Sequence, residues 1–296
     1  MMKNNIHLGI LLTLLSALSY AVQTAIVKHL GGTVSTPVIV FIQSAVCFVL
    51  ISAVIMSKGT QNAVRLMKTA HPVIHIFRTF FSLGISYFLF YSVKFIPLVD
   101  AVLLANTAPL MVPLIMFLFM SVKINHKLWI PLLIGFSGVV LILNPDPQVF
   151  HSASLLALAA GVCMASSIIL IREAKNDSGI TNAFYYFLFS LPISGLGAAF
   201  FWTPLSIKIL IPLIIIGLLF FIVQFSVTYA LKNVNAQTVV SLYLSNIIFA
   251  AIIGMLIWST PMTWGIISGI CLTIIGAIFT IRAQSQTRDI KVEKHG

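Results

Sequence analysis

Six acidic residues occur in this chain of 296, and five of them, Asp146, Glu173, Asp177, Asp289 and Glu293, fall between or beyond its long apolar runs. The sixth, Asp100, follows Pro97 at the start of such a run, and Arg78 lies about two turns inside another. A guanidinium at that depth needs an anion or a carbonyl. It is therefore a candidate for a two-pronged hydrogen bond to a substrate carboxylate, the alternative being that it snorkels to the nearer interface or braces a helix end. Asp100 is the one carboxylate placed to neutralise a cationic group or take up a proton. Its alternative role is to favour the dipole in the first turn of a helix. The two begin near opposite faces of the bilayer, so no direct Arg78–Asp100 pair is expected.

Neutral hydrogen-bonding groups are the second set. Gln23, Gln43, Asn106, Gln224 and Asn246 all sit well inside apolar runs, with Tyr20, Tyr87, Tyr91, Tyr185, Tyr186 and Tyr243 spaced among them. Amides and aromatic faces suit a cavity for a small polar metabolite. Each amide is also suited to joining neighbouring helices in lipid. Asn106 and Asn246 are the favoured pair. Phe77, Phe80 and Phe81 flank Arg78 and are candidates to wall a cavity, with lipid contact the expected role. His71 and His75 are four residues apart, yet no Cys, Asp or Glu near them in sequence completes a metal shell. The three cysteines, Cys47, Cys163 and Cys271, lie in apolar stretches without paired spacing. Neither a metal nor a cofactor is expected.

The elements that carry these residues follow from composition. The chain is 59% hydrophobic and 8% charged, with a mean hydropathy of +1.08. Soluble domains carry about 25% charged residues, so most of this chain faces lipid. At about 20 apolar residues per crossing, ten spans fill it: 7–28, 36–57, 72–93, 97–120, 128–144, 153–172, 181–202, 209–230, 236–258 and 262–282. Turn formers separate them, as in Lys28-His29-Leu30-Gly31-Gly32, Ser57-Lys58-Gly59-Thr60, Asn144-Pro145-Asp146-Pro147 and Asn176-Asp177-Ser178-Gly179. The first span carries Gln23 and Lys28 and no clear cleavage site, so it reads as a mature helix and not as a signal peptide.

The net charge of +11 belongs to the loops. With the amino terminus inside, thirteen of the 17 Lys and Arg fall on the cytoplasmic side. Three, Lys28, Lys94 and Lys208, fall opposite, and Arg78 lies within a span. That bias orients the chain with both termini cytoplasmic. It also removes nucleic acid as a partner, because no basic domain remains.

Sliding the chain by 138 residues overlays spans three to five on spans eight to ten. Tyr91-Ser-Val-Lys94 meets Tyr229-Ala-Leu-Lys232, Gly138 meets Gly276, and Val122 meets Thr260 across a loop without a gap. Five spans per copy is an odd number, so the second copy enters the membrane in the opposite sense. The expected fold is an all-α integral membrane protein of ten helices in two inverted five-helix repeats, 1–148 and 149–284, with a cytoplasmic tail at 285–296. Inverted repeats mark secondary transporters, whose sites lie near the midplane between the halves.

Over essentially its full length the chain resembles the drug/metabolite transporter superfamily, EamA type. The duplicated five-span unit carries the likeness, with Arg78-Thr-Phe-Phe-Ser-Leu-Gly84, then Tyr91-Ser-Val-Lys-Phe-Ile-Pro97-Leu-Val-Asp100-Ala101, then Thr107-Ala-Pro109-Leu110. These segments are similar to a branch that carries S-adenosylmethionine-like and amino-acid-like metabolites. Members often place a Glu just before spans five and ten. Val122 and Thr260 stand there instead, which removes any helix-end contact such a Glu makes.

The resemblance implies alternating-access transport, secondary active or facilitative, of a small polar metabolite across a bacterial inner membrane. Export of drugs or metabolites in exchange for protons is the alternative, and a channel or a membrane-embedded enzyme is the competing class. No HExxH, Gly-x-Ser-x-Gly or phosphate-cradling Gly loop with Lys appears, and no selectivity ring stands out. Pro109, Pro113 and Pro192 are hinge candidates, with Pro212 near the start of span eight. In span ten, Gly265, Gly269, Thr273, Gly276 and Thr280 form a small-residue ridge suited to close packing or to a homodimer. The partners expected are a small-molecule substrate and the lipid bilayer.

Overall fold

The computed structural model describes residues 6–57, 60–120, 128–143, 151–173, 177–202, 204–230, 233–234 and 236–293. Val122, the Asn144–Pro147 turn and its Asp146, and the basic residues Lys3, Lys58, Lys123, Lys127, Lys175, Lys232 and Lys294 lie outside them, as do residues 148 and 149 between the two expected halves. Every regular element among the described residues is helical. In order these are α1 (Ile6–Leu30), α2 (Thr36–Met56), α3 (Thr60–Leu66), α4 (Pro72–Ser92), α5 (Leu98–Ala105), α6 (Ala108–Met120), α7 (Trp129–Leu143), α8 (Ala153–Glu173), α9 (Gly179–Phe200), α10 (Ile207–Ala230), α11 (Ala236–Tyr243), α12 (Ser245–Trp258) and α13 (Trp264–Glu293). Seven segments are long and apolar enough to cross a membrane, α5 and α6 counting together as Leu98–Met120. Trp129–Leu141, Ser245–Trp258 and Trp264–Thr280 are shorter apolar helices.

Local chemistry explains the ends. Pro37 and Pro72 occupy first-turn positions where a missing N–H costs nothing. The Ser178 hydroxyl accepts from the Thr181 N–H at 3.1 Å and starts α9. Gly31, at φ +41°, turns the chain after α1.

Three features depart from the spans read in the sequence. α3 is an additional short helix. α13 runs on to Glu293, so most of the residues expected to form a tail extend the last helix. Spans four and nine are each two helices. The break between α5 and α6 has a clear cause: Pro109 has no N–H to give the Ala105 carbonyl. The Asn106 Nδ2 and Thr107 Oγ1 donate instead to the Val102 and Leu104 carbonyls, at 2.7 and 2.8 Å. Pro109 thus falls in the first turn of α6, whereas Pro113 and Pro192 lie inside α6 and α9. At Leu244, between α11 and α12, no proline is involved.

The helix boundaries repeat. Ser92 and Ala230, Leu98 and Ala236, Ala105 and Tyr243, and Met120 and Trp258 end or begin corresponding helices, each pair 138 residues apart. The packing repeats as well. α4 lies on α8 as α1 lies on α10, α4 meets α9 as α10 meets α2, and α5 and α6 pack on α8 as α11 and α12 pack on α1. α2 with α9, and α7 with α13, pair across the centre. The last crossing is made by small residues: a Cβ on Gly138 would stand 2.5 Å from the Thr273 Oγ1, and one on Gly276 would run into the Gly135 backbone. The Gly269, Thr273 and Gly276 part of the ridge is thus used within the chain. Gly265, by contrast, faces open space but for the Thr263 hydroxyl at 3.8 Å.

Candidate functional site

Two groups of polar side chains lie inside this bundle. The first centres on the helix breaks. Asn106 caps the end of α5, its own Nδ2 spent on the Val102 carbonyl, so its Oδ1 faces outward and accepts from the Asn246 Nδ2 at 3.3 Å. Asn246 stands in the first turn of α12. Both are buried, and the bond joins residues 140 apart in sequence. Beside it the Tyr20 and Tyr243 rings pack at 5.9 Å, and Tyr243 reaches the Asn246 side chain. One turn beyond Tyr20 on α1, the Gln23 Nε2 donates to the Gln43 Oε1 of α2 at 3.0 Å. Tyr20, Gln23, Gln43, Asn106, Asn246 and Tyr243 therefore form one band. At 1.5 Å per residue, Gln23, Gln43 and Asn106 lie about 10–12 Å from the Leu30, Thr36 and Leu98 ends of their helices.

The second group lies at the other end, where α4 and α9 begin. Arg78, buried about 9 Å from the start of α4, donates from Nη1 to the Asn182 carbonyl at 2.5 Å and sits over the Tyr186 ring at 5.7 Å. Its Nε is buried without a partner. One turn earlier, the His75 Nε2 meets the Asp177 Oδ2 at 2.8 Å, and the Thr69 Oγ1 donates to the same oxygen at 2.6 Å. His75 also stacks on Tyr185 at 4.8 Å, and the Tyr185 hydroxyl donates to the Met67 carbonyl at 2.7 Å. Partial burial pushes the Asp177 carboxyl up. The hydrogen bonds from Thr69 and His75, with the charges of His75 and His71, outweigh that and hold it below the usual carboxylate range.

At the opposite end the Lys28 Nζ donates to the Val93 and Ile96 carbonyls at 2.8 and 2.7 Å and lies 5.6 Å from the Trp258 ring. Asp100, in the first turn of α5, interacts electrostatically with Lys28 and keeps Oδ1 buried without a partner. No Arg78–Asp100 contact exists among the described residues, each having its own surroundings.

Other candidates stand apart. Tyr91 is 48% exposed and packs on Phe95 at the outer surface. The Tyr87 hydroxyl approaches α9 at Gly197. Gln224 lines an apolar crevice with Ile51, Gly179 and Phe187, away from the band. Phe77 and Phe80 are exposed, in keeping with lipid contact. No group of three or more metal-ligating side chains occurs among the described residues. Sequence reasoning missed Asp177, Thr69 and Asn182, having left Asp177 in a loop. The spacing of His75 and Arg78, one turn apart on one helix face, was the available signal, because two such groups call for an acceptor opposite.

The EamA-like transporter family matches residues 7–144 and again 151–282, and the chain belongs to that family. It is a multi-pass membrane transporter and not an enzyme. Among its relatives, the pseudopaline exporter CntI of Pseudomonas aeruginosa is 26% identical over 93% of this chain and 96% of its own. The S-adenosylmethionine uptake transporter of Rickettsia bellii is 22% identical over 96% and 97%. The riboflavin transporter of Vibrio cholerae is 25% identical over 63% of each chain. A solved crystal structure superposes with a TM-score of 0.65 at 16% identity, over 97% of this chain and 99% of the other, which shows the fold.

Proposed function

We propose that the chain is a secondary carrier in a bacterial inner membrane, moving a small polar organic metabolite, amino-acid-like or S-adenosylmethionine-like, by alternating access. Ten spans form two inverted five-helix halves with both termini cytoplasmic. The matched boundaries at 138 residues, the repeated packing and the excess of Lys and Arg on one side all support this arrangement. A homodimer through α13 would use the stretch around Gly265, since Gly269, Thr273 and Gly276 lie against α7.

The observation that carries the reading is the Asn246–Asn106 hydrogen bond, made where both interrupted helices leave regular structure. Discontinuous helices at corresponding positions are the usual wall of a carrier's midplane site, because freed backbone groups and polar side chains can reach a solute only there. In this reading the halves rock about α7 and α13. Opening towards the cytoplasm separates α4 from α9, breaking the His75–Asp177 and Arg78–Asn182 contacts, and Arg78 then offers its guanidinium to a substrate carboxylate. Pro113 and Pro192 are the flexing points, with Pro109 fixing the break. Asp100 is the protonatable group of a coupled cycle.

Export by proton exchange is the second reading. The likeness to the pseudopaline exporter and the buried unpaired oxygen of Asp100 favour it. Flux in proteoliposomes tests both. A carrier saturates and shows counterflow. An imposed pH gradient drives net flux only where Asp100 couples the cycle to protons, and in the exchanger it drives the solute opposite to the proton flow. Unsaturable flux without counterflow would rule out a carrier.

A further inference from the structure

The hydrogen-bonding state of the amide band defines what kind of group it receives. Gln23 and Gln43 share one bond, leaving the Gln23 Oε1 and the Gln43 Nε2 buried and unpartnered. Turning both amides over exchanges the roles of the two residues, but it always leaves one free acceptor and one free donor. Asn246 is fixed more tightly. The Val102 carbonyl orients Asn106, Asn106 orients Asn246, and the Asn246 Oδ1 is left as a buried free acceptor. All three side chains are at least 99% buried.

Interhelical glue does not account for this pattern. A hydrogen bond between membrane helices stabilises by less, on average, than leaving a buried polar group unpaired costs. Three such atoms in one band make it a poor adhesive. They make it a good receptor, with the Tyr20 ring one turn from Gln23 on α1 and packed on Tyr243, which reaches Asn246.

The band holds no ionisable carboxylate or amine. Lys28 lies five residues further along α1, and Asp100 six residues before Asn106. The group it accepts is therefore uncharged. It must present a donor and an acceptor side by side, and a further donor towards Asn246.

We infer that this band binds the N–H/C=O edge of an uncharged planar group of the ureide, lactam or nucleobase type, packed against Tyr20 and Tyr243. The inference rests on the carrier reading and deepens it. The anionic part of a substrate goes to Arg78, and the ring goes to the amides.

The test is thermal stability of the purified full-length chain with uracil, thymine, hypoxanthine and nicotinamide, beside 1,3-dimethyluracil and N,N-dimethylnicotinamide. At least one of the first four is expected to raise Tm, while the two controls are not. Gln43→Leu and Asn246→Leu should each weaken that ligand by about tenfold, the equivalent of one lost hydrogen bond. A shift from none of the four overturns the inference, as does an equal shift from 1,3-dimethyluracil. The methylated probe deletes the edge from the ligand, so the test holds even where a variant does not fold. Counterflow of other solutes without binding of these four would sink this inference and leave the carrier standing. Absence of counterflow for every solute would remove the carrier itself.

Discussion

The His75 Nε2 lies 2.8 Å from the Asp177 Oδ2, and this contact ties the first turn of α4 to the residues that lead into α9, 102 positions away. With the Thr69 hydroxyl on the same oxygen and Tyr185 stacked on the imidazole, it closes one end of the bundle over Arg78. The Asp177 carboxyl is held below its ordinary value of about 3.9. A depressed folded pKa stabilises the fold above the unfolded value, and that contribution is lost as pH falls through the folded one. Asp177→Asn is therefore expected to lower Tm at neutral pH, with the gap to the parent closing below roughly pH 4. Melting curves in detergent across that range check it; a gap independent of pH contradicts it.

Arg78 has one neutral carbonyl, one ring face and an unpartnered Nε. Arg78→Ala should abolish counterflow while leaving the protein folded. Arg78→Lys should restore little of it, because an ammonium cannot reproduce the planar fork. Normal counterflow by the alanine variant would take Arg78 out of the site.

Asp100 combines a helix-dipole position with a buried free oxygen. If it carries the coupling proton, Asp100→Asn keeps counterflow, which needs no net proton movement, and loses the pH dependence of net flux. Transport by that variant with an unchanged pH profile excludes the role and leaves the dipole as its whole function.

The α7–α13 crossing allows no side chain at Gly276, where a Cβ meets the Gly135 backbone. Gly276→Ala is expected to cost about 1–3 kcal/mol, the usual range for overpacking a close contact. Gly265→Ala, with open space around it, should fall within about 0.5 kcal/mol of the parent. Paired melting curves separate the two, and equal losses would mean that the crossing is not what the glycines serve.

The membrane class, the position of almost every apolar helix and the 138-residue repeat were legible in the sequence, because hydrocarbon sets the length of a span and polar turn residues must lie outside it. The amide candidates were legible for the same reason: Asn106 and Asn246 are conspicuous among residues chosen for lipid. Their contact was not, since it joins helices 140 residues apart and depends on a break that Pro109 announces at one site and nothing announces at Leu244. Tertiary packing alone brought Asp177 onto His75, turned Tyr91 outward and used the ridge of the last helix against α7. Composition measures what a residue costs in lipid. Which partner meets that cost is decided by how the helices cross.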